Sequence, residues 1–120
     1  MNEFTIPGKL AGLNEYTRAC RSHWNTGRKM KREQENIVGW EALRAKIQPI
    51  TKPVKIYINW LEPDRRRDVD NIVFAQKFIL DALVRMKILP DDSQKWVIEI
   101  INTVELDKSN PRVTVRMEEV

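Results

Sequence analysis

The chain is poor in the residues on which many catalytic systems depend. Its one cysteine, Cys20, has no partner for an internal disulfide, so a reducing setting is expected. With no nucleophile signature around it, Cys20 is expected to be a small buried side chain. His23 is the only histidine, which excludes a zinc site built from several histidines. The four glycines are isolated from one another, so no glycine-rich phosphate loop is present. No apolar run approaches the roughly 20 residues that span a bilayer. The opening Met-Asn-Glu-Phe-Thr-Ile-Pro lacks a basic stretch followed by an apolar one, so no secretory leader is expected. What remains is a single cytoplasmic domain over residues 1–120, long enough to bury a modest core without disulfides or metal staples.

What is present is charge, and it is unevenly placed. The net charge of +4 slightly favours an anionic partner. Arg18, Arg21, Arg28, Lys29, Lys31 and Arg32 cluster in the first third, Lys52, Lys55 and Arg65 to Arg67 follow, and Glu118 and Glu119 make the far end acidic. Two readings of the basic residues stand side by side at this level: a nucleic-acid surface or an ordinary solvated face.

The pattern of apolar residues predicts the order β-α-α-β-α-β-β, an α+β domain with a small mixed or antiparallel sheet and about three helices. A short strand over residues 3–6 stops at Pro7-Gly8. A helix over 15–24 follows, with Asn14 as a candidate N-cap. A long helix over 28–47 carries Ile37, Trp40, Leu43 and Ile47 in one stripe, the expected core face. Its cations gather in the first turns, where the helix dipole disfavours them; they either answer to a partner or keep an exposed end soluble. Residues 54–60 alternate as a half-buried strand. Residues 71–86 read as a third helix that is apolar nearly all round, a pattern that needs cover on more than one side and so raises a second subunit as a candidate cover. Residues 96–104 and 112–117 are strands, expected to pair as a hairpin across the turn at 107–111.

Between the second strand and the third helix lies Glu62-Pro63-Asp64-Arg65-Arg66-Arg67-Asp68-Val69-Asp70-Asn71. In extended backbone Asp68 and Asp70 point to one side and can face one cation. All-oxygen donors select hard ions such as Mg²⁺ or Mn²⁺. Asp70 has an alternative role as N-cap of the helix, which leaves Asp68 unexplained. Arg65, Arg66 and Arg67 offer forked donors suited to phosphates. Lys77 follows Asp70 by two helical turns, on roughly the same face, and either serves a phosphate or reaches solvent. Asp91 and Asp92 come after the helix, which at about 15 residues is about 22 Å long. Locally they read as a polar turn, and a site shared with a neighbouring subunit would bring them closer. Divalent metal held by acids and flanked by arginines is what metal-assisted phosphodiester hydrolysis requires.

At these residues the chain resembles the RusA family of Holliday junction resolvases. The likeness lies in Pro63-Asp64-Arg65-Arg66-Arg67-Asp68-Val69-Asp70-Asn71, then Leu80-Asp81-Ala82-Leu83, then Leu89-Pro90-Asp91-Asp92-Ser93-Gln94, and covers roughly residues 52–117. The resemblance implies a homodimeric, Mg²⁺-dependent endonuclease of phage or prophage type that makes paired nicks in four-way DNA junctions. It implies that Asp68, Asp70 and Asp92 bind metal. The family has a catalytic lysine early in the helix after D-x-D-N; here the fourth residue after Asp70 is Phe74, and Lys77, one turn farther along, is the candidate. Asp81 is expected to serve helix packing or a surface contact. Arg65, Arg66 and Arg67, with Arg28, Lys29, Lys31 and Arg32, are the candidate DNA contacts. Two other readings are a DNA-binding module whose aspartates only cap and turn, and a nuclease for other branched DNA such as flaps.

Overall fold

The computed structural model describes residues 2–120. The element order is β1 (Asn2–Pro7), α1 (Leu13–Ser22), α2 (Thr26–Arg44), β2 (Val54–Glu62), α3 (Val69–Val73), α4 (Gln76–Arg85), β3 (Val97–Leu106) and β4 (Arg112–Glu119). One mixed sheet runs in the order β1-β4-β2-β3. β4 is antiparallel to both its neighbours, whereas β3 runs parallel to β2. The α+β class and the sequence of elements are as the apolar pattern predicts.

The pairing of the last two strands is not. β3 and β4 do not form a hairpin, because β2 lies between them. The inner side chains of β4, Val113, Val115 and Met117, are buried as befits an interior strand, while β3 takes the sheet edge with Ile98 and Leu106 exposed. The connection between them steps over the end of β2, where the Asp107 amide donates to the Glu62 carbonyl at 2.8 Å. Asp107 then gathers the loop: its carboxylate accepts from Arg112 at 2.7 Å, Ser109 Oγ at 3.1 Å and the Asn110 amide at 3.2 Å. These donors, the Arg112 bond above all, hold the Asp107 carboxyl below its ordinary value.

The long helix has the expected period but the other phase. Ile37, Trp40 and Leu43 are 41%, 65% and 59% exposed, and the face turned inward carries Gly27, Glu35, Val38 and Ala42. α2 packs between α1 and α4. A Cβ on Gly39 would meet Met86 Sδ at 3.1 Å, and Gly27 lies against Cys20 with no room for a side chain. Close approach therefore selects the small face and leaves the bulky one outside. The helix ends at Arg44, so Ile47 packs on the core from the following turn. Cys20 itself is exposed, contrary to the expectation of burial. The third helix is interrupted at Phe74-Ala75, giving α3 and α4. Its second cover comes from within the chain: Tyr16 of α1 packs on Phe74 and Phe78, with ring centroids 5.5 and 5.8 Å apart, and α2 lies along α4.

The loop between β2 and α3 is anchored to the beginning of α1. Glu62, the last residue of β2, is buried at 2% exposure and pairs with Arg67 through two bonds, Nε to Oε1 at 3.1 Å and Nη2 to Oε2 at 2.8 Å. Arg67 Nη1 also donates to the Leu10 carbonyl at 3.0 Å. Asn71 Oδ1 accepts the Asn14 amide at 2.9 Å, satisfying one of the amides left open at the start of α1. Gly12, not Asn14, is the N-cap of α1, and a Cβ there would stand 2.6 Å from Asn71 Oδ1. The Gly12 amide is taken up by Glu15 Oε1 at 3.2 Å.

Removing Arg67 leaves a carboxylate buried without its partner, a change that typically costs about 3–5 kcal/mol. Arg67→Met is therefore expected to lower the urea midpoint strongly. Arg66→Met, which touches only Asp64 at 3.7 Å on the surface, should stay within about 0.5 kcal/mol of the parent. Equal midpoints for the two variants would show that the Glu62–Arg67 pair does not support the fold.

Candidate active site

The parallel strands β2 and β3 both end beside the loop 63–68. Open sheets place ligand sites beyond the carboxyl ends of their parallel strands, and here a cleft of about 590 Å³ lies there. One wall is Asp64, Arg65, Arg67, Asp68, Val69 and Ile72; the other is Val104, Glu105 and Leu106 of β3.

Asp68 occupies the N-cap position of α3, in extended backbone with φ −69° and ψ 154°. Asp70, which the sequence offered as the cap, instead falls in the first helical turn. Asp68 makes no side-chain cap bond, so its carboxylate is not used up in closing the helix. Asp70 Oδ1 accepts the amide of its neighbour Asn71 at 3.0 Å. Both aspartates are exposed, and neither forms an ion pair among the described residues. The extended geometry assumed for the pair holds at Asp68 and ends there, since Asp70 is already helical. Accordingly Asp68 lines the cleft and Asp70 stands at the start of the helix beside it.

The three arginines divide. Arg65 and Arg66 are exposed; Arg66 leans on Asp64 at 3.7 Å, and the Asp64 carboxylate also accepts the Arg66 amide at 3.0 Å. Arg67 is turned inward to Glu62 and Leu10. Its guanidinium thus sets the path of the loop that carries its two neighbours.

Lys77 and Asp92 belong to a different neighbourhood. Lys77 pairs with Asp81 one turn along α4 at 3.6 Å. Asp81 also holds Lys31 at 3.1 Å, Lys31 bonds to Glu35, and Glu35 accepts from Arg85 at 3.0 Å. Asp92 lines a cavity of about 360 Å³ with Lys31, Glu35, Asp81, Val84 and Arg85. The break at Phe74-Ala75 carries three-residue bonds, Lys77 amide to Phe74 carbonyl at 3.1 Å and Phe78 amide to Ala75 carbonyl at 3.0 Å. Such tightening alters the turn per residue, so the helical-face argument from Asp70 to Lys77 does not run through an unbroken helix. Among the described residues no three His, Cys, Asp or Glu side chains converge closely enough to hold a metal ion.

Sequence reasoning missed the participation of Glu105 and the anchoring roles of Glu62, which it offered only as an acidic residue of the loop, and Asn71. Glu105 enters the cleft because β3 runs parallel to β2, with Leu61 opposite Glu105; a hairpin would not have put it there. Asn71 is an anchor whose partner Asn14 lies 57 positions away, and Glu62 is one through Arg67, which reaches back 57 positions to the Leu10 carbonyl. The only local signal was their position in a charged strand-to-helix junction.

The bond to Glu35, followed by that to Asp81, raises the Lys31 ammonium above its ordinary 10.5. Burial raises the Tyr16 phenol above its ordinary 10.0. A raised folded value means that the contribution to stability is whole below the ordinary value and is lost as pH climbs through the folded one. Stability is therefore expected to fall as pH rises above the ordinary values of 10.0 for Tyr16 and 10.5 for Lys31, and Lys31→Met should remove part of that fall. Urea midpoints at pH 9 and 11 provide the check; an unchanged pH slope in Lys31→Met would exclude the Lys31 contribution.

The family model for the endodeoxyribonuclease RusA matches residues 11–118. That span begins just after Leu10 and takes in α1, α2, the braced loop and both cavities, well beyond the stretch from residue 52 in which the likeness is visible by eye. No curated protein matches the chain. The fold, the exposed aspartates at the parallel strand ends and this match across nearly all of its length lead to one conclusion: the chain belongs to the RusA endodeoxyribonuclease family.

Proposed function

We propose that the protein is a Mg²⁺-dependent structure-specific endodeoxyribonuclease, with Mn²⁺ as a substitute ion, that resolves four-way DNA junctions by paired nicks as a homodimer of phage or prophage type. The observation that carries the reading is the pair Asp68 and Asp70: two exposed carboxylates, free of ion pairs, on a loop fixed by the Glu62–Arg67 bond. The donor chemistry fits the ion. Mg²⁺ keeps several waters and is commonly held by one or two carboxylates plus substrate phosphate. When bound, it activates water and offsets charge developing on the phosphate. Arg65 and Arg66 hold the backbone phosphates at the cleft, and Arg67 positions them from below. Arg28, Lys29 and Arg32 hold phosphates farther along the DNA. Lys31, bound by two carboxylates, contributes to that field at longer range.

Asp92 and Lys77 complete the set in this reading. Their separation from Asp68 within one chain is the reason a dimer belongs to the proposal: Asp92 and Lys77 of one subunit act with Asp68 and Asp70 of the other. Two-fold protein symmetry then matches the two-fold symmetry of a four-way junction.

Asp70→Asn is expected to lower the rate of junction cutting in Mg²⁺ at least about 100-fold, since the lost stabilisation amounts to several kcal/mol, while junction binding persists. Cutting at the parent rate would refute the catalytic role of Asp70. Mixing Asp70→Asn with Asp92→Asn protein separates the arrangements. A site shared between subunits regains one working centre in the mixed dimer and nicks one strand, whereas a site within one chain stays silent. Four-way, three-way and linear substrates run in parallel establish the preferred structure.

A further inference from the structure

In the turn between α1 and α2, Trp24 stands out from the surface at 75% exposure. It takes no part in the hydrophobic core. Its ring lies beside that of His23, at 5.8 Å between centroids and tilted by 37°. Beside it is a shallow recess of about 260 Å³ formed by Trp24, Asn25, Arg28, Lys29 and Arg32. The three cations are exposed and form no ion pair among the described residues, in contrast to Lys31 on the same helix. Arg28 and Arg32 are one turn apart and share a face. No acidic residue stands in the first turn of α2 to balance them.

An exposed indole beside cations free of ion pairs is best used by a ligand that engages both. The ligand that does so carries a flat π surface and a negative charge one short bond path away. A nucleotide has both, and its base is free to meet an indole only where it is unpaired, because bases inside a duplex are already stacked. We propose that Trp24 is a stacking platform for an unpaired DNA base, with Arg28, Lys29 and Arg32 holding the adjoining phosphates, so that this recess selects branched or single-stranded DNA over plain duplex. The proposal rests on the nucleic-acid reading above and extends it to a residue on which that reading does not draw.

The test uses fluorescence anisotropy with no divalent ion present, so that the DNA stays uncut. The probes are a labelled oligothymidylate, a four-way junction and a linear duplex. Base stacking on an aromatic side chain is sequence-tolerant and strong enough that Trp24→Ala should bind the oligothymidylate and the junction about 10-fold more weakly. The duplex should change by less than about twofold, and Trp24→Phe should keep most of the affinity. Arg28→Ala should weaken all three probes and lower the salt slope by about one. A junction carrying 2-aminopurine next to the branch gives a direct reading: its fluorescence is quenched by the parent protein and restored with Trp24→Ala. If the parent binds the probes and Trp24→Ala binds them equally well, the stacking role is overturned and the indole serves another contact, such as a protein. If the parent binds none of the probes, the nucleic-acid reading falls and this proposal with it.

Discussion

The buried pair of Glu62 and Arg67 fixes the geometry on which the rest of the molecule depends. It joins the last residue of β2 to the loop that follows, and through the Leu10 carbonyl it joins that loop to the segment entering α1. An ion pair in so dry a place has little margin: unpaired, either charge would be expensive, and paired with good geometry both are satisfied. The restraint acts on one arginine and leaves its neighbours free. Arg65, Arg66 and Asp68 project from a strip of backbone that cannot drift, which is the preorganisation that charge chemistry on a phosphate requires. Asn71 provides the second tether, closing the start of α1 with its side-chain oxygen.

A second constraint comes from the helices. α2 meets α1 and α4 through Gly27, Val38, Gly39 and Ala42, so its bulky side chains cannot also be inside. The cost is an apolar outer face of Ile37, Trp40 and Leu43; the gain is that Lys31 and Glu35 reach Asp81 and Arg85 across the helix gap. That ionic seam gives α2 and α4 a register that apolar contacts alone would specify poorly. It also fixes where Lys77 lies, since Asp81 is shared by both lysines.

Much of this was readable in the residues, and the misses share a cause. The alternation of Val54 to Trp60 and of Arg112 to Met117 identified strands, and the Asp68-Val69-Asp70-Asn71 run identified a strand-to-helix junction with two solvent-facing acids. Periodicity gives the spacing of a helix face but not its phase when small residues, not large ones, set the approach of a neighbour; Val38 against Ile37 is that ambiguity of one residue. A turn such as 107–111 reports that the chain reverses, not which strand receives it, and β4 went to the far side of β2. The tether made by Asn71 was illegible because its partner Asn14 is 57 positions away, and the task of Glu62 was illegible because its near neighbour Arg67 turns inward only by reaching Leu10, also 57 positions away. The placement of Asp92 beside Asp81 depends on the same long-range packing of α2 on α4.

The place of β4 between β1 and β2 has a consequence for how the chain reaches its native state. Among the described residues β1 has no strand partner except β4, and their register sets Asn2 against Met117. The first of these four strands therefore waits for the fourth, and β2 lacks one of its two neighbours until then. Closing so long a loop costs entropy before any pairing returns it, and folds rich in distant pairings form slowly. The helices and the β2–α3–α4–β3 unit can assemble without β4, whereas the sheet is complete only once that interior strand has taken its place between β1 and β2.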